Sequence, residues 1–204
     1  MKFEKQLEIF KELGYHFNDG VSPEVIFEII KNNNQEIDDP RKLFEDQPFS
    51  LLYYYFGWRD PGVKSYNFSE HCIWFDLEFF DPSDQYKWFM ERMGAISNGE
   101  LNFRNIEIIV DEKGYQRIRF EVNGISKEWR LEKPNYISNS FVQRFSNLPL
   151  ELKTRGKYTY FDDGSQQFVI DYATDHEQKR FNKKTGLKRE WLGAGNHFSE
   201  PKDE

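Results

Sequence analysis

The chain has 204 residues, of which 38% are hydrophobic and 18% aromatic, and its formal net charge is −7 at pH 7. Much of its core must come from rings, because each buried aromatic side chain removes about 150–250 Å² from water. A single cysteine, Cys72, excludes an intramolecular disulfide and favours a reducing compartment. No segment has the apolar character of a secretion signal or a membrane span, so we expect a cytoplasmic protein without a membrane anchor.

The negative charge is concentrated in the first half of the chain. Residues 1–102 contain 10 Lys and Arg against 19 Asp and Glu, whereas residues 103–204 contain 18 against 16. An acidic surface repels nucleic-acid phosphates and attracts basic partners, because the summed charge determines the long-range potential. This asymmetry disfavours a nucleic-acid role. The alternative explanation is that the negative charge simply keeps the protein soluble.

Helical patterns predominate in the first 60 residues. Apolar side chains at helical spacing predict a helix over residues 3–13, ended by Gly14. Ser22-Pro23 and Asp39-Pro40 are N-terminal helix signals and predict two more helices. Residues 50–58 are aromatic enough for a strand, but Ser50 and Gly57 resemble helix caps, and we interpret this segment as a fourth helix.

The clearest strand of the first half covers residues 71–80. Its alternation places Ile73 and Phe75 on one face, and Trp74, Asp76 and Glu78 on the other. A helix follows from Asp81-Pro82-Ser83 to Gly94. Three strands then form a meander over residues 105–110, 115–122 and 125–131. The last two are joined by Asn123-Gly124, the pair that a type I′ hairpin turn favours.

The rest of the chain predicts two helices, a hairpin and a final strand. One helix begins at Ser138 and is interrupted at Pro149, and the hairpin pairs residues 157–161 with residues 166–172. The second helix is capped by Thr174 and Glu177 and ends at Gly186. Residues 187–192 then form a strand, and residues 193–204 a mobile tail.

This order of elements predicts an α+β fold with mostly antiparallel sheet and helices packed on one face. We expect one domain over residues 1–204. The alternative is a division into lobes over residues 1–134 and 135–192.

No catalytic, metal or nucleotide motif is present in the sequence. It lacks a nucleophile elbow, a zinc-type histidine pair and a phosphate-binding glycine loop. The basic cluster within residues 179–189 includes the last turn of a predicted helix, where cations complement the helix dipole. These patterns favour a binding protein over an enzyme and call for no cofactor and no metal.

One acidic group keeps an enzymatic alternative open. Asp76, Glu78 and Asp81 have a spacing that suits a divalent cation, so a metal-dependent hydrolase or nuclease using them is the alternative function. An ordinary solvated sheet face explains the same residues more simply, since acidic side chains are mostly exposed.

Five aromatic side chains occur within residues 53–58, and no single helix or strand can turn all of them inward. We therefore expect some of these rings to reach the surface. Rings surrounded by carboxylates are typical of protein interfaces, where aromatic anchors lie inside a charged rim. The predicted partner-contacting residues are Tyr54, Trp58, Trp74, Asp76 and Glu78. Internal packing between lobes, or self-association as a homodimer or a structural or regulatory oligomer, is the alternative use of these rings.

The C-terminal part carries a family resemblance. The stretch YTYFDDGSQQFVID, which begins at Tyr158, and the later Lys184-Thr185-Gly186-Leu187 resemble small bacterial proteins of the polymorphic-toxin immunity type. The resemblance implies a stoichiometric inhibitor that binds a toxin enzyme, so the expected partner is a protein, in particular a basic toxin domain. It supplies no catalytic residues.

Overall fold

A computed structural model describes residues 1–33, 36–60, 66–76, 85–110, 112, 115–131, 137, 139–162 and 167–193. The helices are α1 (Phe3–Glu12), α2 (Pro23–Asn33), α3 (Pro40–Asp46), α4 (Ser50–Gly57), α5 (Gln85–Ile96), α6 (Asn139–Glu151) and α7 (Asp175–Thr185). The strands are β1 (Arg59–Asp60), β2 (Tyr66–Asn67), β3 (Cys72–Asp76), β4 (Phe103–Val110), β5 (Gln116–Val122), β6 (Ile125–Arg130), β7 (Lys157–Asp162), β8 (Gln167–Ala173) and β9 (Glu190–Trp191).

The described strands form a four-stranded sheet in the order β3-β8-β7-β9, a three-stranded sheet in the order β4-β5-β6, and the short pair β1-β2. The pairings β1-β2, β4-β5, β5-β6 and β7-β9 are antiparallel. The predicted α+β class with mostly antiparallel sheet is confirmed. No helix in the described part of the chain is long and apolar enough to cross a membrane.

The chain divides into two compact units, each assembled from separated segments. The first unit comprises Met1–Phe75, Phe161–Asp171 and Asp175–Arg189, and the second comprises Asp76–Tyr160, Tyr172–Thr174 and Glu190–Glu204. The single domain over residues 1–204 and the alternative boundary at residue 134 stay predictions. Apart from residue 193, the predicted tail lies outside the described residues.

Phe10 lies at the centre of the core of the first unit and is fully buried. Its ring centroid is 5.0 Å from that of Phe56, 5.9 Å from that of Tyr53 and 6.0 Å from that of Phe181. Because α4 packs its rings against this centre, residues 50–57 form a helix, as we predicted.

This packing divides the rings of the aromatic segment into buried and partly exposed ones. Tyr53, Phe56 and the predicted contact residue Tyr54 are buried, because α4 is covered by the other elements of its unit. Tyr55 and Trp58 keep partial exposure.

The three-stranded sheet of the second unit buries one face. Side chains of α6 cover it: the ring of Phe141 meets Trp129 at 5.7 Å, and that of Phe145 stacks on Phe103 at 5.2 Å. The buried sheet residues include Ile118, Phe120 and Val122 of β5. On the opposite face Glu128 forms salt bridges with Arg117 and Arg119, each at 3.0 Å. This arrangement is the one-sided packing of helices predicted for an antiparallel sheet.

The hairpin between β5 and β6 has the predicted turn. Asn123 and Gly124 both have positive φ, 50° and 80°, and Val122 pairs with Ile125 across the turn. Both values are those that a type I′ turn needs.

Three predicted element ends are wrong. Helix α5 continues past Gly94 to Ile96, because this glycine serves close packing: a Cβ there would lie 3.0 Å from the Phe103 ring. Helix α6 continues through Pro149 to Glu151. A proline lacks only its own backbone N–H, so the residues after it can still complete the last turn of the helix. The last strand covers β9 alone, because the backbone N–H of Arg189 is directed at Asn182 Oδ1 of α7, 3.3 Å away.

Candidate functional site

Trp58 and Trp74 form a half-buried ring pair in the first unit. Trp58 is the C-cap of α4 and Trp74 is the central residue of β3. Their ring centroids lie 4.6 Å apart with planes inclined by 38°, and the ring of Tyr55 lies 5.9 Å from Trp58. The structure thus brings together two of the predicted partner-contacting residues. We call Trp58 and Trp74 the tryptophan pair.

Gly57 allows α4 to approach β3 closely enough to form the tryptophan pair. A Cβ at residue 57 would lie 2.3 Å from the backbone nitrogen of Trp74 and 2.7 Å from the carbonyl carbon of Ile73. Contacts this short do not occur, so only glycine fits between these two backbones. The interpretation of Gly57 as a helix cap misses this packing role.

The other predicted contact residues have different positions. Tyr54 is buried, and its hydroxyl donates a hydrogen bond to the Gln167 carbonyl oxygen at 3.3 Å. Asp76 is half-buried at the end of β3, on the same side of the strand as Trp74 by alternation. Glu78 and Asp81 lie outside the described residues.

The alternative metal site therefore stays a prediction. Among the described residues no three His, Cys, Asp or Glu side chains are grouped as they must be to enclose a metal ion. Two of the three carboxylates in that hypothesis belong to segments outside the described part.

A buried ion pair, which we did not predict from the sequence, lies in the core of the first unit. Arg189 Nη1 binds Asp171 Oδ2, and the two side chains are 2% and 5% exposed. The hydroxyl groups of Tyr15 and Tyr53 both donate to the same carboxylate oxygen, Tyr53 at 3.0 Å. One carboxylate oxygen thus accepts from three donors.

The Arg189 guanidinium is held on its other sides as well. Its Nε donates to Gln178 Oε1 at 2.5 Å, and its Cζ lies 4.0 Å from the centroid of the Phe181 ring. The carbonyl oxygen of Arg189 accepts hydrogen bonds from the side-chain amides of Gln178 and Asn182. We call Asp171, Arg189, Tyr15 and Tyr53 the buried polar network.

Burial changes the protonation equilibria of this network. It raises the pKa of the Tyr15 and Tyr53 hydroxyls well above the usual value, and the nearby Asp171 raises the pKa of each further. Burial alone would lower the pKa of Arg189, but its negatively charged or ionisable neighbours Tyr15 and Asp171 offset this effect and raise the pKa overall. The network is therefore stable as a guanidinium–carboxylate pair with two neutral phenols.

The sequence contained one usable signal of the buried polar network. Asp171 follows three consecutive apolar residues within a strand and is buried with them, a position that an unpaired carboxylate rarely occupies. Arg189 gave no such signal, since it belongs to the basic cluster of residues 179–189. Within this cluster Lys184 forms a salt bridge with Glu12 at 2.5 Å, and Arg180 donates to the Glu12 carbonyl oxygen. The cluster is thus partly structural.

The buried tyrosines predict a cooperative loss of structure at alkaline pH. Burial also raises the pKa of Tyr158 in the second unit well above the usual value. A raised folded-state pKa means that these phenols contribute full stability below their unfolded pKa of about 10 and lose it as the pH rises above that value. Each contributes a slope of up to about 1.4 kcal/mol per pH unit.

In one alkaline titration, ultraviolet absorbance measures phenolate formation and circular dichroism measures the loss of helices. We expect Tyr15, Tyr53 and Tyr158 to ionise only as the chain unfolds, and the exposed-ring control Tyr115→Phe to leave the cooperative step in place. Ionisation of all 11 tyrosines with the helices intact would contradict the prediction.

These features define the chain as an aromatic-rich α+β protein of two compact units. No family model, no curated protein and no solved structure matches it.

Proposed function

We propose that the chain is a bacterial, cytoplasmic binding protein of the toxin-immunity type, which inhibits a toxin enzyme by covering it. The observation that supports this function best is the tryptophan pair, with its ring centroids 4.6 Å apart and both rings partly exposed. Tryptophan is among the residues most enriched at binding hot spots, where a large ring enters a pocket of the partner. The fixed approach of α4 to β3 orders these rings before binding, which reduces the entropic cost of association.

The charge of the chain supports a basic partner. The tryptophan pair belongs to the acidic first 102 residues, and Asp76 is two positions beyond Trp74 on the same strand. Complementary charge raises association rates and selects partners more than it raises affinity. A basic toxin domain would therefore be attracted to this region and held there by the rings.

The resemblance of the segment that begins at Tyr158 to immunity-type proteins supports the same function. Immunity proteins are encoded beside the toxins that they neutralise, which supplies the partner to test. Production of the neighbouring gene product in a bacterial host should arrest growth, and co-production of this chain should restore it. Arrest that persists in the presence of the folded chain would reject the immunity function.

The contribution of each side chain to binding is measured with the purified toxin domain and this chain. We expect Trp58→Ala and Trp74→Ala each to raise the dissociation rate by about 30-fold or more, the size of a hot-spot loss near 2 kcal/mol. Asp76→Lys should instead slow association and reduce its dependence on salt. The matched control is Tyr115→Ala, which removes an exposed ring of the second unit. If both tryptophan variants fold and dissociate at the wild-type rate, the tryptophan pair is not the contact.

A further inference from the structure

Two histidines of the first unit face each other beside Tyr15 of the buried polar network. His71 Nε2 lies 3.0 Å from His16 Nδ1, with ring centroids 4.4 Å apart and planes inclined by 77°. His16 is exposed and His71 is half-buried. We call them the histidine pair.

The surrounding contacts hold both rings in place. His16 Nδ1 lies 3.2 Å from the carbonyl oxygen of Gly14, and the backbone N–H of His71 donates to Ser69 Oγ at 3.2 Å. The His71 ring also packs on the ring of Tyr15, with centroids 5.5 Å apart. Tyr15 is itself hydrogen-bonded within the buried polar network, so the His71 ring lies against a buried neighbour.

The hydrogen-bond partners define the protonation state. The Gly14 carbonyl oxygen can only accept, so His16 Nδ1 carries the proton and His71 Nε2 faces it with a lone pair. A cation can accept the same Nε2 lone pair in place of this hydrogen bond.

We propose that the histidine pair chelates a divalent transition-metal ion of tetragonal preference, Cu²⁺ or Ni²⁺, through His16 Nδ1 and His71 Nε2. With imidazole–metal bonds of about 2.0–2.1 Å, nitrogens 3.0 Å apart subtend about 94° at the metal. That angle matches a square-planar or octahedral edge, whereas tetrahedral zinc needs a wider one. On binding, the proton on His16 Nδ1 moves to its Nε2 through solvent, and both rings stay neutral.

Few protein groups are available to complete the coordination of such an ion. Asp171 is already paired with Arg189, and Glu70 Oε1 is held by the Asn18 side-chain amide at 3.0 Å. No third His, Cys, Asp or Glu of the described residues completes the coordination sphere, so water supplies the other ligands. The site is therefore an open one with two protein ligands.

Titration calorimetry of the full chain with Cu²⁺, Ni²⁺ and Zn²⁺ tests the proposal. We expect one Cu²⁺ per chain, with affinity falling from Cu²⁺ to Ni²⁺ and then to Zn²⁺. His16→Ala and His71→Ala should each weaken Cu²⁺ binding by at least about tenfold, because loss even of a second-shell partner costs 10–100-fold in metal sites. The double variant His176→Ala, His197→Ala removes the other histidines and should bind as the wild type does.

A second readout does not depend on variants. The electron paramagnetic resonance spectrum of the Cu²⁺-loaded wild-type chain should show a tetragonal ion coupled to two imidazole nitrogens. Unchanged Cu²⁺ affinity in His16→Ala, or tighter binding of Zn²⁺ than of Cu²⁺, would overturn the proposal. Partner binding through the tryptophan pair is measured separately and does not enter this test.

Discussion

Asp171→Ala is expected to lower the free energy of unfolding of the first unit by about 3–5 kcal/mol, because it leaves the Arg189 guanidinium buried without its carboxylate. Tyr15 and Tyr53 lose their shared acceptor in the same step. Urea unfolding followed by tryptophan fluorescence measures the change. The matched control is Glu8→Ala, which breaks the exposed pair between Lys5 and Glu8 and should change the stability far less, because solvent screens an exposed pair.

A double variant separates the ion pair from simple loss of volume. Asp171→Leu combined with Arg189→Met should recover part of the stability lost by Asp171→Ala, since apolar residues often replace a buried ion pair with little loss. If Asp171→Ala costs no more than Glu8→Ala, the buried polar network does not stabilise the unit.

Gly57→Ala is expected to destabilise the first unit by about 1–3 kcal/mol, the usual range for overpacking a filled site. The added Cβ would meet the backbone of Ile73 and Trp74, which cannot move aside as a flexible side chain can. Displacement of α4 from β3 should also change the near-ultraviolet circular dichroism of the tryptophan pair. Thermal unfolding and this spectrum are the measurements.

Gly94→Ala is the matched control, because Gly94 is also a helical glycine against a packed neighbour. There the nearest atom belongs to the edge of the Phe103 ring, at 3.0 Å, and alanine favours the helix by about 1 kcal/mol. We expect a smaller loss than for Gly57→Ala, or none. If the two variants lose the same free energy of unfolding, the short distance from residue 57 to the β3 backbone does not destabilise Gly57→Ala.

Local signals in the sequence predicted most elements of the fold. Asp39 accepts a hydrogen bond from the backbone N–H of Arg41 at 3.1 Å and begins α3, and Asn123-Gly124 forms the turn between β5 and β6. Such signals succeed because each depends on neighbouring residues along the chain. Two of the three wrong element ends, at Gly94 and Pro149, were decided by packing and by position within the helix.

The candidate sites depend on contacts that no local pattern contains. The sequence predicts Trp58 and Trp74 separately as contact residues. Their rings come together only because Gly57 lets α4 approach β3 closely. His16 and His71 are 55 positions apart, so the sequence does not indicate that their rings are neighbours. The pairing of Arg189 with Asp171 likewise appears only when the core of the unit is assembled.

The discontinuous make-up of the first unit has a consequence for biosynthesis. The Arg189 guanidinium donates to the Tyr15 hydroxyl across 174 positions of the chain. During translation, α1 to α4 therefore leave the ribosome long before β8 and α7, and Phe10 lacks its contact with Phe181 until α7 has emerged. Contacts so distant in sequence form slowly, because the chain must first close a long loop. The nascent protein is thus expected to rely on chaperones until residue 189 has emerged.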